Sequence, residues 1–159
     1  MSIKECVRCE AKTVSGKQCS RNTCIYSKMC WQHSIKFKGL KLKPSKIPDA
    51  GIGLFAAKTF KKNSKVAKYG GKVMTKKAYE KTDGVYGYEF KPGYVLNAES
   101  TQSGMGRYSN DCRKSNKKYC KGINAKFSGR KKNNVFIKAS KNIKKGSEIY
   151  TNYGDTYWK

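Results

Sequence analysis

A single histidine, three prolines, five arginines and ten acidic residues are what this 159-residue chain has least of. One histidine excludes any metal site built on a His pair and leaves a His-centred catalytic triad with little support. No stretch approaches the roughly 18 apolar residues that a membrane-crossing helix requires. The start, Met-Ser-Ile-Lys-Glu-Cys-Val-Arg-Cys-Glu, has no apolar signal core, so the reading is a soluble, non-secreted protein without membrane contact. Scarce acid against 36 Lys+Arg leaves a formal charge of +26. With 37% hydrophobic and 12% aromatic residues, however, the chain can still bury a modest core.

What is abundant is lysine: 31 of the 36 basic residues, against five Arg. Such a charge points to an acidic partner, with nucleic acid or a nucleosome held through counterion release. Lysine is a point charge rather than a planar fork, which favours unspecific contact. A second reading of the excess, codon bias in an AT-rich genome, stands beside it.

The seven cysteines are uneven. Cys6, Cys9, Cys19, Cys24 and Cys30 crowd the first 30 residues with His33, whereas only Cys112 and Cys120 come later. Two pairs, Cys6/Cys9 and Cys30/His33, have the two-residue gap that lets both side chains reach one tetrahedral zinc. Fewer than 40 residues with few apolar side chains need such an ion to fold. A non-secreted chain argues against disulfides there. Cys112 and Cys120, eight residues apart with no local His, give weak support for a further metal site and read as ordinary thiols. The run from Cys9 through Cys19 to Cys30-Trp-Gln-His33 resembles a short Cys-rich module recurrent in proteins of large DNA viruses. That resemblance implies Cys9, Cys19, Cys30 and His33 as ligands; the set Cys6, Cys9, Cys30 and His33 is the alternative, and Cys24 is spare in both.

The chain divides near residue 38 into a zinc-binding module (1–37, charge +5) and a larger domain (38–159, charge +21). Residues 36–48 read as a basic connector leading into a strand. Short apolar segments bounded by Gly, Asn or Pro predict strands at 53–57, 65–69, 85–90, 94–97, 134–138 and 147–151. Thr75 is placed to cap a short helix over 76–81. The fold class is mainly β.

Four motifs lie in order along the larger domain: Pro48-Asp-Ala-Gly-Ile-Gly-Leu-Phe-Ala-Ala57, Tyr69-Gly-Gly-Lys-Val73, Gly106-Arg-Tyr-Ser-Asn110 and Lys144-Lys-Gly-Ser-Glu-Ile-Tyr-Thr-Asn-Tyr-Gly154. Each alone is weak. Together they resemble the SET domain of protein lysine methyltransferases over residues 46–159, most like the small viral forms. The resemblance implies short β-sheets, with the segment around Asn110 threaded beneath the C-terminal strand in a knot-like crossing. It implies S-adenosylmethionine as cofactor, held by Gly51, Ile52, Gly53, Arg107, Asn110, Asp111 and Tyr153. Tyr153 would be the catalytic tyrosine and Tyr88 the aromatic lining the lysine channel, closed by Asp155 to Lys159. The substrate expected is a histone tail or nucleosome, in a host nucleus or travelling in a virion. The oligomeric state is left open, a homodimer included.

The chain departs from the family pattern at Asp111, usually His, at Ser103-Gly104, usually Gly-Asn, and at Asn97, usually Asp. Thr151 replaces a usual Phe or Tyr, and a smaller side chain there predicts room for higher methylation states. No cysteine follows Tyr153, so no zinc-bound tail is expected.

Overall fold

In the computed structural model, which describes residues 3–155, no strand exceeds five residues. The strands form four small sheets. Strands β1 (Val7–Arg8) and β2 (Asn22–Thr23) pair antiparallel within the Cys-rich module. β3 (Leu40–Pro44) pairs with β4 (Ile52–Ala56). β5 (Lys65–Lys68), β10 (Phe136–Ala139) and β9 (Ala125–Ser128) form one three-stranded sheet in the order β5-β10-β9. β6 (Lys72–Thr75), β8 (Tyr94–Asn97) and β7 (Gly87–Lys91) form the other, with β8 central. The central strand is buried at three consecutive residues, Val95, Leu96 and Asn97, and so is covered on both faces, while edge strand β6 is mostly exposed.

One core runs beneath all but the first sheet, with Leu40, Leu54, Leu96, Met105, Ile137, Ile143 and Ile149 at its centre. Each of these is at least 98% removed from solvent. Truncating any of them to Ala removes several buried methyl groups, at about 2–5 kcal/mol each.

Five of the six predicted strands are present within a few residues. The segment 147–151 differs: it makes single bridges to three partners instead of one ladder. Glu148 bridges antiparallel to Phe55, Tyr150 parallel to Asn110, and Thr151 parallel to Ala125. Thr151 donates its N–H to the Asn110 carbonyl (3.0 Å), while Tyr150 accepts from the Ala125 N–H (3.0 Å). The C-terminal segment is therefore threaded between 109–111 and 124–125, which realises the knot-like crossing. β3 replaces much of the expected basic connector, because Leu40 and Leu42 point into the core while Lys41 and Lys43 face water. The predicted helix is a single turn, α2 (Lys76–Tyr79), with the Thr75 hydroxyl accepting from the Ala78 N–H at 3.2 Å.

The cysteine expectations need correction. Cys6 and Cys24 form a disulfide, and so do Cys112 and Cys120. The register Val7 opposite Thr23 puts Cys6 and Cys24 side by side, with Cα atoms 4.0 Å apart. Turns at Ser115 and Cys120 fold the other loop back on itself. No described helix is long and apolar enough to cross a membrane.

Candidate active site and metal centre

The Cys-rich module has almost no apolar interior; its buried cluster is Cys9, Ala11, Cys19 and Cys30, with Met29 against it. Short hydrogen bonds draw the chain around these thiols: Cys9 N–H to Arg21 O, Cys19 N–H to Ala11 O, and Ser34 N–H to Cys30 O, each 2.8 Å. Helix α1 (Trp31–His33) then turns the imidazole back onto the sulfurs. The ligand atoms of Cys9, Cys19, Cys30 and His33 all lie within 4.8 Å of one another. His33 Nδ1 is 3.4 Å from Cys9 Sγ and 3.3 Å from Cys30 Sγ. Tetrahedral zinc, with bonds of about 2.0–2.3 Å, sets ligand–ligand edges of roughly 3.5–3.8 Å, so the set fits. The alternative set fails because Cys6 is consumed by Cys24.

Burial raises the Cys9 thiol, but the N–H of Cys30 (3.2 Å), the backbone at Ala11 and the His33 ring outweigh it and bring the thiol down to about 7. Burial pushes the Cys30 thiol up, with Cys9 and Cys19 adding to it. A Cys9 thiol that ionises near neutrality beside a Cys30 thiol that resists it suits a centre that a divalent cation would complete.

The module docks on the larger domain through residues 99–105. Ile3 donates to Glu99 O and accepts from Thr101 N–H, both at 2.9 Å. The Ser27 hydroxyl donates to Gln102 O and the Ser34 hydroxyl reaches Met105 Sδ at 3.0 Å. This matters because 105–108 is the 3-10 turn that leads straight into Asn110.

A cleft of about 1250 Å³ opens between that turn, the loop 47–52 and the C-terminal segment. Gly51, Ile52, Tyr88, Arg107, Asn110, Asp111 and Tyr153 all line it. Gly51 adopts φ +68°, the left-handed region, and a side chain there would meet nothing, so the loop offers bare backbone to the cleft. Gly53 does not line the cleft. A β-carbon on it would run into the Glu148 carboxylate, which is 2% exposed. Glu148 was not singled out in the sequence, yet it staples the loop: it accepts from the Ser45 hydroxyl (2.6 Å), Lys46 N–H (2.8 Å) and the Tyr150 hydroxyl (2.8 Å). The Asn110 amide donates to Ile52 O at 3.2 Å, which joins the loop to the threaded crossing.

Arg107 sits at the floor, buried, donating Nε to Ala98 O (2.7 Å) and a terminal nitrogen to Glu99 O (3.0 Å). Its guanidinium stacks over Tyr86, 4.1 Å from the ring centre. These contacts are to the protein's own backbone and rings, which makes it a support for the cleft. Asp111 shows what the departure from His does. Its carboxylate is fully buried, accepts from Arg113 Nε and Nη2 at 2.9–3.1 Å, and accepts from the Tyr153 N–H at 2.9 Å. Arg113 is in turn held by Asp155 at 2.9 Å. Asp111→Ala takes the acceptor from the Tyr153 backbone N–H and leaves the Arg113 guanidinium with Asp155 and the Gly154 carbonyl alone. With Arg113 partly solvated, we expect a loss of about 2–3 kcal/mol in a denaturant titration. A stability change within 0.5 kcal/mol would show that the pair contributes nothing.

Tyr153 donates its hydroxyl to the Ser109 carbonyl at 2.8 Å. Opposite stand three rings: Tyr88 stacks on Phe127 with centroids 4.5 Å apart, and Tyr69 meets Phe127 edge-on at 5.0 Å. Burial pushes the Tyr69 phenol far up, with Tyr153 nearby contributing, and burial also raises Tyr88. These phenols stay neutral, so the channel wall is apolar but uncharged. Phe127 and Tyr69 complete a wall of which the sequence indicated only Tyr88. Thr151 is fully buried against the Ser109 hydroxyl (3.1 Å) and does not line the cleft, so the room expected from its small side chain is not in the channel. Thr156, Tyr157, Trp158 and Lys159, expected to close the channel, lie outside the described residues.

Residues 51–154 match the SET domain family. The chain belongs to the SET-domain family of protein lysine methyltransferases. A solved structure with the same fold is the methyltransferase domain of human PR domain-containing protein 2. It is similar at 22% identity with a TM-score of 0.57, over 78% of this chain and 85% of that one. No curated protein matches in sequence.

Proposed function

We propose that this protein transfers methyl groups from S-adenosylmethionine to lysine side chains of histones, acting on nucleosomes, with a structural zinc in its N-terminal module. The observation that carries this reading is the convergence of the Gly51–Ile52 backbone, the Asn110 amide, the Tyr153 hydroxyl and the Tyr88–Phe127 wall on one cleft. Its volume exceeds that of an ordinary small-molecule pocket, leaving space for a cofactor and a lysine side chain together. Gly51, Ile52, Asn110 and the backbone around Asp111 would hold the cofactor, which when bound supplies a methyl group on a positive sulfonium.

The rest is the chain's own work. A lysine amine is mostly protonated at neutral pH, with a pKa near 10.4, and only its free lone pair can accept a methyl group. The aromatic wall desolvates the ammonium and favours its loss of a proton to water. The Tyr153 oxygen, fixed by Ser109, and nearby carbonyls orient the transferring carbon through weak C–H···O contacts. Confinement aligns amine and methyl, which is chiefly an entropic contribution.

The charge bears on the substrate. A chain of +26 repels an isolated histone tail, itself basic, whereas nucleosomal DNA attracts it. The proposal therefore includes nucleic-acid contact through the Lys-rich surface and action in a nucleus, of a host cell if the gene is viral. Labelled methyl transfer to nucleosomes is expected to exceed transfer to tail peptides by about tenfold or more at moderate salt. Equal or reversed rates would remove the nucleosome from the reading. Salt-sensitive DNA binding with no transfer to any histone would instead mark a chromatin-binding protein with a weak SET domain.

A further inference from the structure

A second cavity, of about 440 Å³, lies behind the cleft. Neighbouring residues of the same segments part company between the two: Tyr69 and Gly106 line the cleft, Gly70 and Met105 line the groove. No described residue lines both, so the two are back to back across the thickness of one backbone layer.

The groove's chemistry is one-sided. Lys28, Lys38, Lys65 and Lys68 surround it and no carboxylate lines it, whereas the cleft contains Asp49 and Asp111. The rim does meet one acid, Glu10, which is 3.7 Å from Lys28. The Lys38 and Lys68 ammonium groups have no ion pair or hydrogen bond among the described residues. Lys38 is partly drawn out of water, and burial holds its pKa below the usual lysine range, with Glu10 opposing the shift and Lys68 adding to it. Four lysines around one groove with a single carboxylate at its rim leave an excess of positive charge that a bound anion would offset. Gly70, Gly71 and Gly104 also line it, and Asn133 and Asn134 add side-chain amide donors, while the Gln102 amide nitrogen is spent on the Glu5 and Thr23 carbonyls.

We propose that this groove seats the phosphate backbone of duplex nucleic acid. It rests on the nucleic-acid contact put forward above and gives that contact an address. Phosphate oxygens are acceptors along an evenly charged strand, which suits lysine point charges and amide donors without any base reading. An acidic peptide is the less fitting occupant, because its backbone N–H groups need acceptors, and the groove's side chains offer mainly donors. Held at this face, DNA leaves the cleft behind it open to a protein lysine.

The test is fluorescence anisotropy of a labelled random duplex of about 30 base pairs across a salt series. It uses the full zinc-loaded chain and the triple variant Lys38→Ala, Lys65→Ala, Lys68→Ala. The control carries Lys141→Ala, Lys144→Ala and Lys145→Ala, three exposed lysines outside both cavities with the same loss of charge. The groove variant is expected to lose about tenfold or more in affinity near 150 mM salt, with the log–log salt slope shallower by about 2–3. The control should lose far less, and both should methylate a tail peptide at the wild-type rate. Equal losses in the two variants would overturn the groove as the address while leaving nucleic-acid contact intact. No duplex binding by the wild type, or displacement of the duplex by polyglutamate at equal charge concentration, would overturn the occupant. Thermal melts of both variants control for folding.

Discussion

Tyr153→Phe is expected to lower methyl transfer by about 10²–10³-fold while leaving cofactor affinity within about twofold. The hydroxyl is the only atom lost. It is held by the Ser109 carbonyl at 2.8 Å, so the oxygen has a fixed position and not a freely rotating one. Ser109 is itself 1% exposed, and its hydroxyl bonds Gly106 O (2.8 Å) and the buried Thr151 hydroxyl (3.1 Å). The tyrosine oxygen thus hangs from the threaded crossing and inherits its rigidity. Phenylalanine keeps the ring, so packing and the Asp111 contact to the backbone N–H persist. The defect should appear in kcat, with KM for cofactor little changed. Asn110→Ala gives the contrasting result: a fall of about tenfold in cofactor affinity, read by calorimetry, since its amide ties the open glycine loop in place. Full methyl transfer by the Phe variant would remove Tyr153 from the chemistry.

Stripping the metal should unfold the N-terminal module. Its interior is made of the ligands themselves, and the apparent contribution of a structural zinc at neutral pH is of order 10 kcal/mol. One zinc per chain is expected on release with a colorimetric chelator, lost in Cys30→Ser and retained in Cys24→Ser. Retention in both, or loss in both, would show that the ligand set is wrong. The pH dependence has a definite sign. The Cys9 thiol is depressed to about 7, so the thiolate form is present above that value and is lost as pH falls through it. Zinc affinity should therefore weaken below about pH 7, before any carboxylate titrates. Because Ile3, Ser27 and Ser34 bond to Glu99, Thr101, Gln102 and Met105, loss of the module should also loosen the approach to Asn110. Limited proteolysis with and without chelator will show whether cleavage spreads past residue 99.

Much of the site was legible because it is written in contiguous motifs. Gly51-Ile52, Arg107 and Asn110 to Asp111, and Tyr153 each lie in a short run whose local geometry serves one purpose, so order along the chain served as a proxy for proximity. The residues that escaped notice act across long gaps. Glu148 meets Ser45 and Lys46 about a hundred positions away, and Phe127 meets Tyr69 and Tyr88 from a different sheet. A lone buried Glu in a strand-like run, or a Phe in a basic stretch, gives no local sign of such partners.

The strands were found where apolar side chains cluster and missed where lysine dilutes them. β3 alternates Leu40 and Leu42 with Lys41 and Lys43, a half-buried pattern hidden within a charged stretch. Segment 147–151 has the right composition for a strand, but composition cannot tell one continuous ladder from bridges to Phe55, Asn110 and Ala125 in turn. The disulfides were missed for a related reason. Spacing along the chain does not show pairing, which depends on which cysteines the strand register and turns bring together.

By itself the sequence determined the family, the mainly β class and the sign of the charge. All three are carried by residue identity and short spacing. Only the tertiary structure decided where each charge and each aromatic ring faces. The threaded crossing hangs Tyr153 from Ser109, turns Asp111 into an anchor for Arg113 and the Tyr153 backbone, and removes Thr151 from the channel. The same folding places Tyr69 and Gly70, adjacent in the chain, on opposite cavities. Side-chain direction alternates along an extended backbone, and which side becomes a cleft or a lysine-rimmed groove depends on what packs against it.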